Sequence, residues 1–122
     1  MKFILPIFFL LAALKVAGQE YERLPEFPGG SQGLYCFIDS MINKDLLSES
    51  ELRGMVVAKF TISENGKVRD IQIIKPLHPS IDEEWIRVLQ QMPDWKPGML
   101  MGKPVDVIYN IPLGVPYKGR CE

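Results

Sequence analysis

Residues 54–76 carry two runs of alternating apolar and polar positions, GMVVAKFTISE and KVRDIQIIKP, which meet at Asn65-Gly66. Alternation at period two predicts half-buried strands. Asn-Gly between two such runs predicts a two-residue type I′ hairpin turn. With Glu64 opposite Lys67, Phe60 faces Ile71 and Ala58 faces Ile73. Val56, Ala58, Phe60, Ile62, Ile71 and Ile73 then share one face, and Lys59, Thr61, Asp70 and Gln72 share the other. Turn and alternation select the same register, as expected where one face of an antiparallel sheet is packed. A third alternating run, PVDVIYNIP, sets Val105, Val107, Tyr109 and Ile111 against Asp106, Ile108 and Asn110. Pro104 starts this strand and Pro112 ends it, because proline cannot donate to a ladder.

Two stretches follow the helical period instead. Leu34, Phe37, Ile38 and Met41 fall at i, i+3, i+4 and i+7, with Ser31 as N-cap. Cys36 lies on the far side of that wheel, within reach of a C-terminal tail. Ile81, Trp85, Val88, Leu89 and Met92 form a second stripe, ended by Pro93. Ser80 and Glu83 read as a capping box, and Asp82, Glu83 and Glu84 occupy a first turn where the helix dipole favours negative charge. NKDLLSESELRG reads as a polar connection with a short helical piece, and EYERLPEFPGG as a short polar lead-in. The predicted fold is α+β: a three-stranded antiparallel sheet with two helices on one face, in the order α-β-β-α-β.

The first 19 residues change the domain count. Lys2 precedes an apolar run from Phe3 to Leu14, and small residues follow at Ala17 and Gly18, the layout of a secretory signal peptide. As a helix the run reaches about 20 Å, short of a bilayer core of ~30 Å, so a cleaved leader and an exported protein are expected; an uncleaved membrane anchor is the alternative. No cysteine follows the run to take a lipid. The remainder divides into a segment over 20–30, a domain over 31–116 and a tail over 117–122. Without Lys2 and Lys15 the 14 basic residues fall to 12, against 15 acidic, a formal charge of −3. That excludes a basic nucleic-acid footprint. In an oxidising compartment Cys36 and Cys121 can form a disulfide; two unpaired small residues are the alternative.

Candidate chemistry is sparse. His78, the one histidine, precedes a helix, and Ser80 nearby is accounted for by capping. The acidic trio is accounted for by a solvated helix N-terminus. There is no phosphate loop, dinucleotide fingerprint or metal-ligand cluster. The expectation is a protein without catalytic activity, cofactor, metal or small-molecule substrate. A three-stranded sheet does leave two edges, and an edge is a template for another chain.

Met92–Pro112, MPDWKPGMLMGKPVDVIYNIP, is the most distinctive stretch. Pro97-Gly98 is read as a turn, and Trp95 as a latch closing one end of the core. PEFPGG before a helix, the spaced G, V, F, I, G, V and D of the hairpin, RVLQQMPDWKPG, and GKPV with its strand ending in IP together resemble the TonB C-terminal domain. The resemblance spans Pro25 to about Pro112, and Trp95, Pro97, Gly98, Gly102 and Pro104 carry its most specific part. It implies a protein-binding module of the Gram-negative envelope, without cofactor. Its last strand, here Val105, Asp106, Val107, Ile108, Tyr109, Asn110 and Ile111, would pair with the TonB-box peptide of an outer-membrane transporter or with a component of the TonB system. Self-pairing into a homodimer through the same edge is the further alternative. Only six residues, Glu20 to Pro25, separate the leader from the domain. At ~3.5 Å each they span about 20 Å, too little for the periplasm-crossing spacer of an energy transducer.

Overall fold

The computed structural model describes residues 15–16, 19–48 and 51–122. The leader reading rests mostly on residues outside this set, including the whole apolar run Phe3–Leu14. A short ladder pairs β1 (Lys15–Val16) with β2 (Gln19–Glu20). The domain proper then runs α1 (Gly30–Met41), α2 (Lys44–Ser48), β3 (Gly54–Ile62), β4 (Val68–Lys75), α3 (Pro79–Gln90), β5 (Gly98–Leu100), β6 (Lys103–Val105) and β7 (Val107–Val115). β3 is the central strand of a three-stranded antiparallel sheet, ordered β4-β3-β7.

The expected face is the packed one. Val56, Ala58, Phe60 and Ile62 of β3 are fully buried, and so are Ile81, Trp85, Val88 and Leu89 of α3. Ile38 of α1 and Leu47 of α2 join them, with Leu34, Phe37 and Met41 packed at the margin. Trp95 and Phe27 close one end of this core. Trp95 stands edge-on to Phe27, with ring centres 5.4 Å apart, and against Tyr109 at 5.3 Å.

The hairpin departs from the expected two-residue turn. Ser63 pairs with Lys67 through Ser63 N–H and Lys67 O, leaving a three-residue loop of Glu64, Asn65 and Gly66. The Ser63 carbonyl accepts from Gly66 N–H, and its hydroxyl from Asn65 and Lys67 N–H. Serine thus supplies a local alternative to the tighter turn. The longer loop shifts the register by one residue, so Ile62 faces Val68 and Thr61 faces Arg69. A β-bulge then removes the shift. Phe60 stands against both Asp70 and Ile71, Asp70 adopts a positive φ of 57°, and Lys59–Gln72 and Ala58–Ile73 pair as expected. The bulge is why Val68 and Ile71, three residues apart, both turn inward.

Gly66 is needed at this loop for two reasons. Its φ is 84°, and a Cβ there would lie 2.0 Å from the carbonyl oxygen of Trp95. Its own carbonyl accepts from Trp95 N–H at 2.7 Å. Gly66→Ala is expected to cost roughly 2–3 kcal/mol, combining left-handed strain with displaced backbone. A urea-unfolding midpoint measures it.

Both helix starts differ from the sequence reading. α1 is capped by Gly29, at φ 84° and without a side-chain bond, so Ser31 lies inside the helix. α3 is capped by His78, whose Nδ1 accepts from Ser80 N–H, and Pro79 takes the first helical position. Proline is pre-organised for that position, which moves the cap from Ser80 to His78. Asp82 then reaches back to Leu77 N–H and His78 N–H, the role assigned to Glu83.

Glu84 is not a solvated first-turn charge. Its carboxylate accepts from Arg87 and from Asn43 N–H, while Arg87 also donates to Met41 O, joining α3 to the end of α1. The Arg87 hydrogen bond, foremost, holds the Glu84 carboxyl below its ordinary value of 4.5. A lowered folded pKa contributes stability above the ordinary value, and that stability is lost as pH falls through the lowered one. Unfolding midpoints measured down through pH 4.5 are therefore expected to fall less steeply in Glu84→Gln than in the parent.

Candidate functional site

The last strand differs from its expected span. β7 begins at Val107 and passes through Pro112 to Val115, nine residues that cover about 31 Å at ~3.4 Å each. Pro112 is tolerated because β7 is an edge strand, paired only with β3 among the described residues. Val105 belongs to β6 instead. Asp106 lies between the strands, where its carboxylate holds Arg69 and Glu64 N–H. Val107, Ile108, Tyr109, Asn110 and Ile111 do lie on β7, and the alternation continues inward through Leu113 and Val115. Reading Pro112 as a terminator concealed those last residues.

Loop residues assigned as turns also move. Gly98 opens β5 rather than turning the chain, and Pro104 lies within β6, opposite Met99. The turn falls at Met101-Gly102, with φ values of 52° and 76°. Two central residues at positive φ are the signature of a type I′ hairpin. β5 is also tied to the lead-in. Met99 N–H donates to Arg23 O, Glu22 N–H donates to Met99 O, and Glu26 and Lys96 exchange two backbone bonds. Residues 21–27 are therefore a pinned extended segment beside β7.

The two sheet edges differ in chemistry. β4 carries Arg69, Asp70 and Lys75 and is bent by the bulge at Asp70. Charges and bulges are what blunt an edge against strand pairing. β7 holds no charged residue in VIYNIPLGV, and Ile108 is 66% exposed.

Cavities follow the β7 edge. One, about 460 Å³, is lined by the consecutive residues Tyr109–Gly114. Inward-facing and outward-facing residues contribute alike, so the cavity tracks the strand edge rather than a face. Leu34 and Ile38 of α1 form one side, Trp85 contributes at its base, and Tyr117, Lys118 and Arg120 of the tail complete it. A second, of about 420 Å³, continues along Asp106–Asn110 beside Tyr21 and Leu24. A third, of about 250 Å³, lies by Phe27 and Trp95. Tyr109 lines all three.

The tail is held in place by a Cys36–Cys121 disulfide. Gln32 donates to Arg120 O, and the Arg120 guanidinium lies over the Tyr35 ring at 5.4 Å. Burial, and next the Asp39 carboxylate, push the Tyr117 hydroxyl above its ordinary pKa. The tail's part in the groove was missed from the sequence; the pairing of the two cysteines was its signal.

His78 is occupied in capping, with Ser80 Oγ 2.8 Å from Nδ1 and Asp82 engaged with backbone N–H groups. Among the described residues no group of three potential ligands is placed to hold a metal ion. No helix among them is long and apolar enough to cross a membrane.

The family model of the Gram-negative bacterial TonB protein C-terminal domain matches residues 47–114, from α2 to within one residue of the end of β7. The chain belongs to the TonB C-terminal family. No curated protein matches it. The TonB C-terminal family comprises protein-interaction domains of the Gram-negative envelope linked to transport, and it is not an enzyme family. The matched region contains the whole three-stranded sheet except Val115, whereas α1, both cysteines and the tail lie outside it.

Proposed function

We propose that this TonB C-terminal domain binds an extended peptide, from a TonB-dependent outer-membrane transporter or a TonB-system component, as a fourth strand on β7. The observation that carries the reading is the contrast between edges: β4 is charged and bulged, whereas β7 is long, uncharged and bordered by a groove. Strand addition uses backbone groups for affinity and side-chain pockets for selection. The binding unit is residues 31–116, acting in the periplasm after removal of residues 1–19. An uncleaved inner-membrane form would instead make it a transducer component. Mass spectrometry of the N-terminus in cells separates the two: a terminus near Glu20 excludes the anchored form.

Binding is tested with labelled N-terminal peptides of outer-membrane transporters from the same genome. The expected result is saturable binding with new hydrogen-exchange protection along Val107–Val115 and none along β4. Absence of binding at high micromolar peptide, or protection confined to β4, would exclude strand addition at β7. A dimer in sedimentation at tens of micromolar, dissociated by no peptide, would favour self-pairing instead.

A further inference from the structure

The tail places two cations on the β7 groove. Among the described residues, Lys118 and Arg120 are the only charged ones lining it, and no acid does. Neither has a carboxylate within ion-pair distance among the described residues. Arg120 is poised by the Tyr35 ring instead. Beneath them the lining is apolar, with Leu34, Ile38, Trp85, Ile111 and Leu113. Asp39 is held by Lys44 and packed against Gly119 between the two cations, where a Cβ would lie 2.2 Å from its Oδ1.

These cations sit between Tyr117, which packs against the core, and the covalent link at Cys121. The other contacts of residues 118–120 are made to α1: the Gln32 hydrogen bond at 3.5 Å, the Tyr35 stack and the Gly119–Asp39 contact. Exposed contacts of these kinds are individually weak. Cys121 is exposed and Cys36 half-buried, so a reductant can reach the bond.

We propose that the disulfide-held tail is a cationic wall of the β7 groove, selecting extended peptides that carry a carboxylate, and that reduction of Cys36–Cys121 abolishes this selection. The proposal rests on the strand-addition reading. The chemical step is thiol–disulfide exchange with a dithiol. Its thiolate attacks the exposed Cys121 sulfur, Cys36 leaves as a thiolate and takes up a proton, and the second thiol of the reductant resolves the mixed disulfide. The protein gains two thiols and the dithiol becomes a disulfide.

The experiment uses one labelled transporter peptide containing a glutamate and its glutamine counterpart, each titrated against oxidised and dithiothreitol-reduced protein. Oxidised protein is expected to prefer the acidic peptide by about three- to tenfold, as one or two exposed ion pairs give. The preference should disappear on reduction, in Cys121→Ser, and in Lys118→Gln/Arg120→Gln with the disulfide intact. Circular dichroism confirms that each form is folded, and the Lys118/Arg120 variant serves where Cys121→Ser does not fold. An equal preference in oxidised and reduced protein, or none in either, overturns the proposal while leaving strand addition standing. Binding of neither peptide by either form overturns strand addition, and the proposal with it.

Discussion

Trp85→Ala is expected to remove about 3–5 kcal/mol of folding stability, the range for truncating a large buried aromatic. Trp85 is fully buried on α3, and its indole N–H donates to Ile111 O of β7 at 3.3 Å. The substitution therefore does two things. It opens a cavity between helix and sheet, and it leaves a buried carbonyl without that donor. Against a typical total of about 5–15 kcal/mol, the loss should move the urea midpoint far toward zero. Trp85→Phe separates the contributions, because it keeps most of the volume but not the N–H. It is expected to cost about 1–3 kcal/mol, the desolvation penalty of an unsatisfied buried group. Equal midpoints for the two variants would show that the hydrogen bond, not the volume, dominates. The functional consequence follows from where the bond lands. Ile111 is the middle of the exposed edge, so Trp85→Phe should speed hydrogen exchange along β7 before it unfolds the domain.

Those elements of the fold written as a repeating pattern were legible in the sequence. The inward set of β3 and the stripes of α1 and α3 are such patterns, and they follow from side-chain periodicity alone. Elements decided by one local competition were not. Ser63 offers its hydroxyl to two N–H groups, and that converts an expected Asn-Gly turn into a longer loop that a bulge at Asp70 must correct. Pro79 fills the first helical position, and that moves the cap to His78. Pro112 was read as a strand end, a rule that holds for central strands, and β7 is an edge. The candidate site was half legible for a related reason. Its strand is a local pattern, whereas its walls come from residues 21–38 and 116–120, far apart in sequence.

Reduction of the Cys36–Cys121 disulfide carries the second large expected effect, a loss of about 2–4 kcal/mol in stability. The bond joins residues 85 apart, and chain entropy alone sets an upper value of roughly 4–5 kcal/mol for a loop of that length. For a domain of this size the melting temperature should fall by roughly 10–25 °C. The origin of the loss can be read separately from its size. The buried core of β3 and α3 is built without residues 118–122; of the tail only Tyr117 packs against its margin, and the contacts of residues 118–120 to α1 lie at the surface. The native state should therefore keep its far-ultraviolet circular dichroism at 25 °C when reduced, while the denatured chain, freed of its loop, expands. A larger denatured surface raises the dependence of free energy on urea. Reduced protein and Cys121→Ser should then share a lower midpoint, a steeper urea slope and an unchanged native spectrum. An unchanged slope with an altered spectrum would place the loss in native contacts instead, making the tail part of the folded core rather than a wall held beside it by one bond.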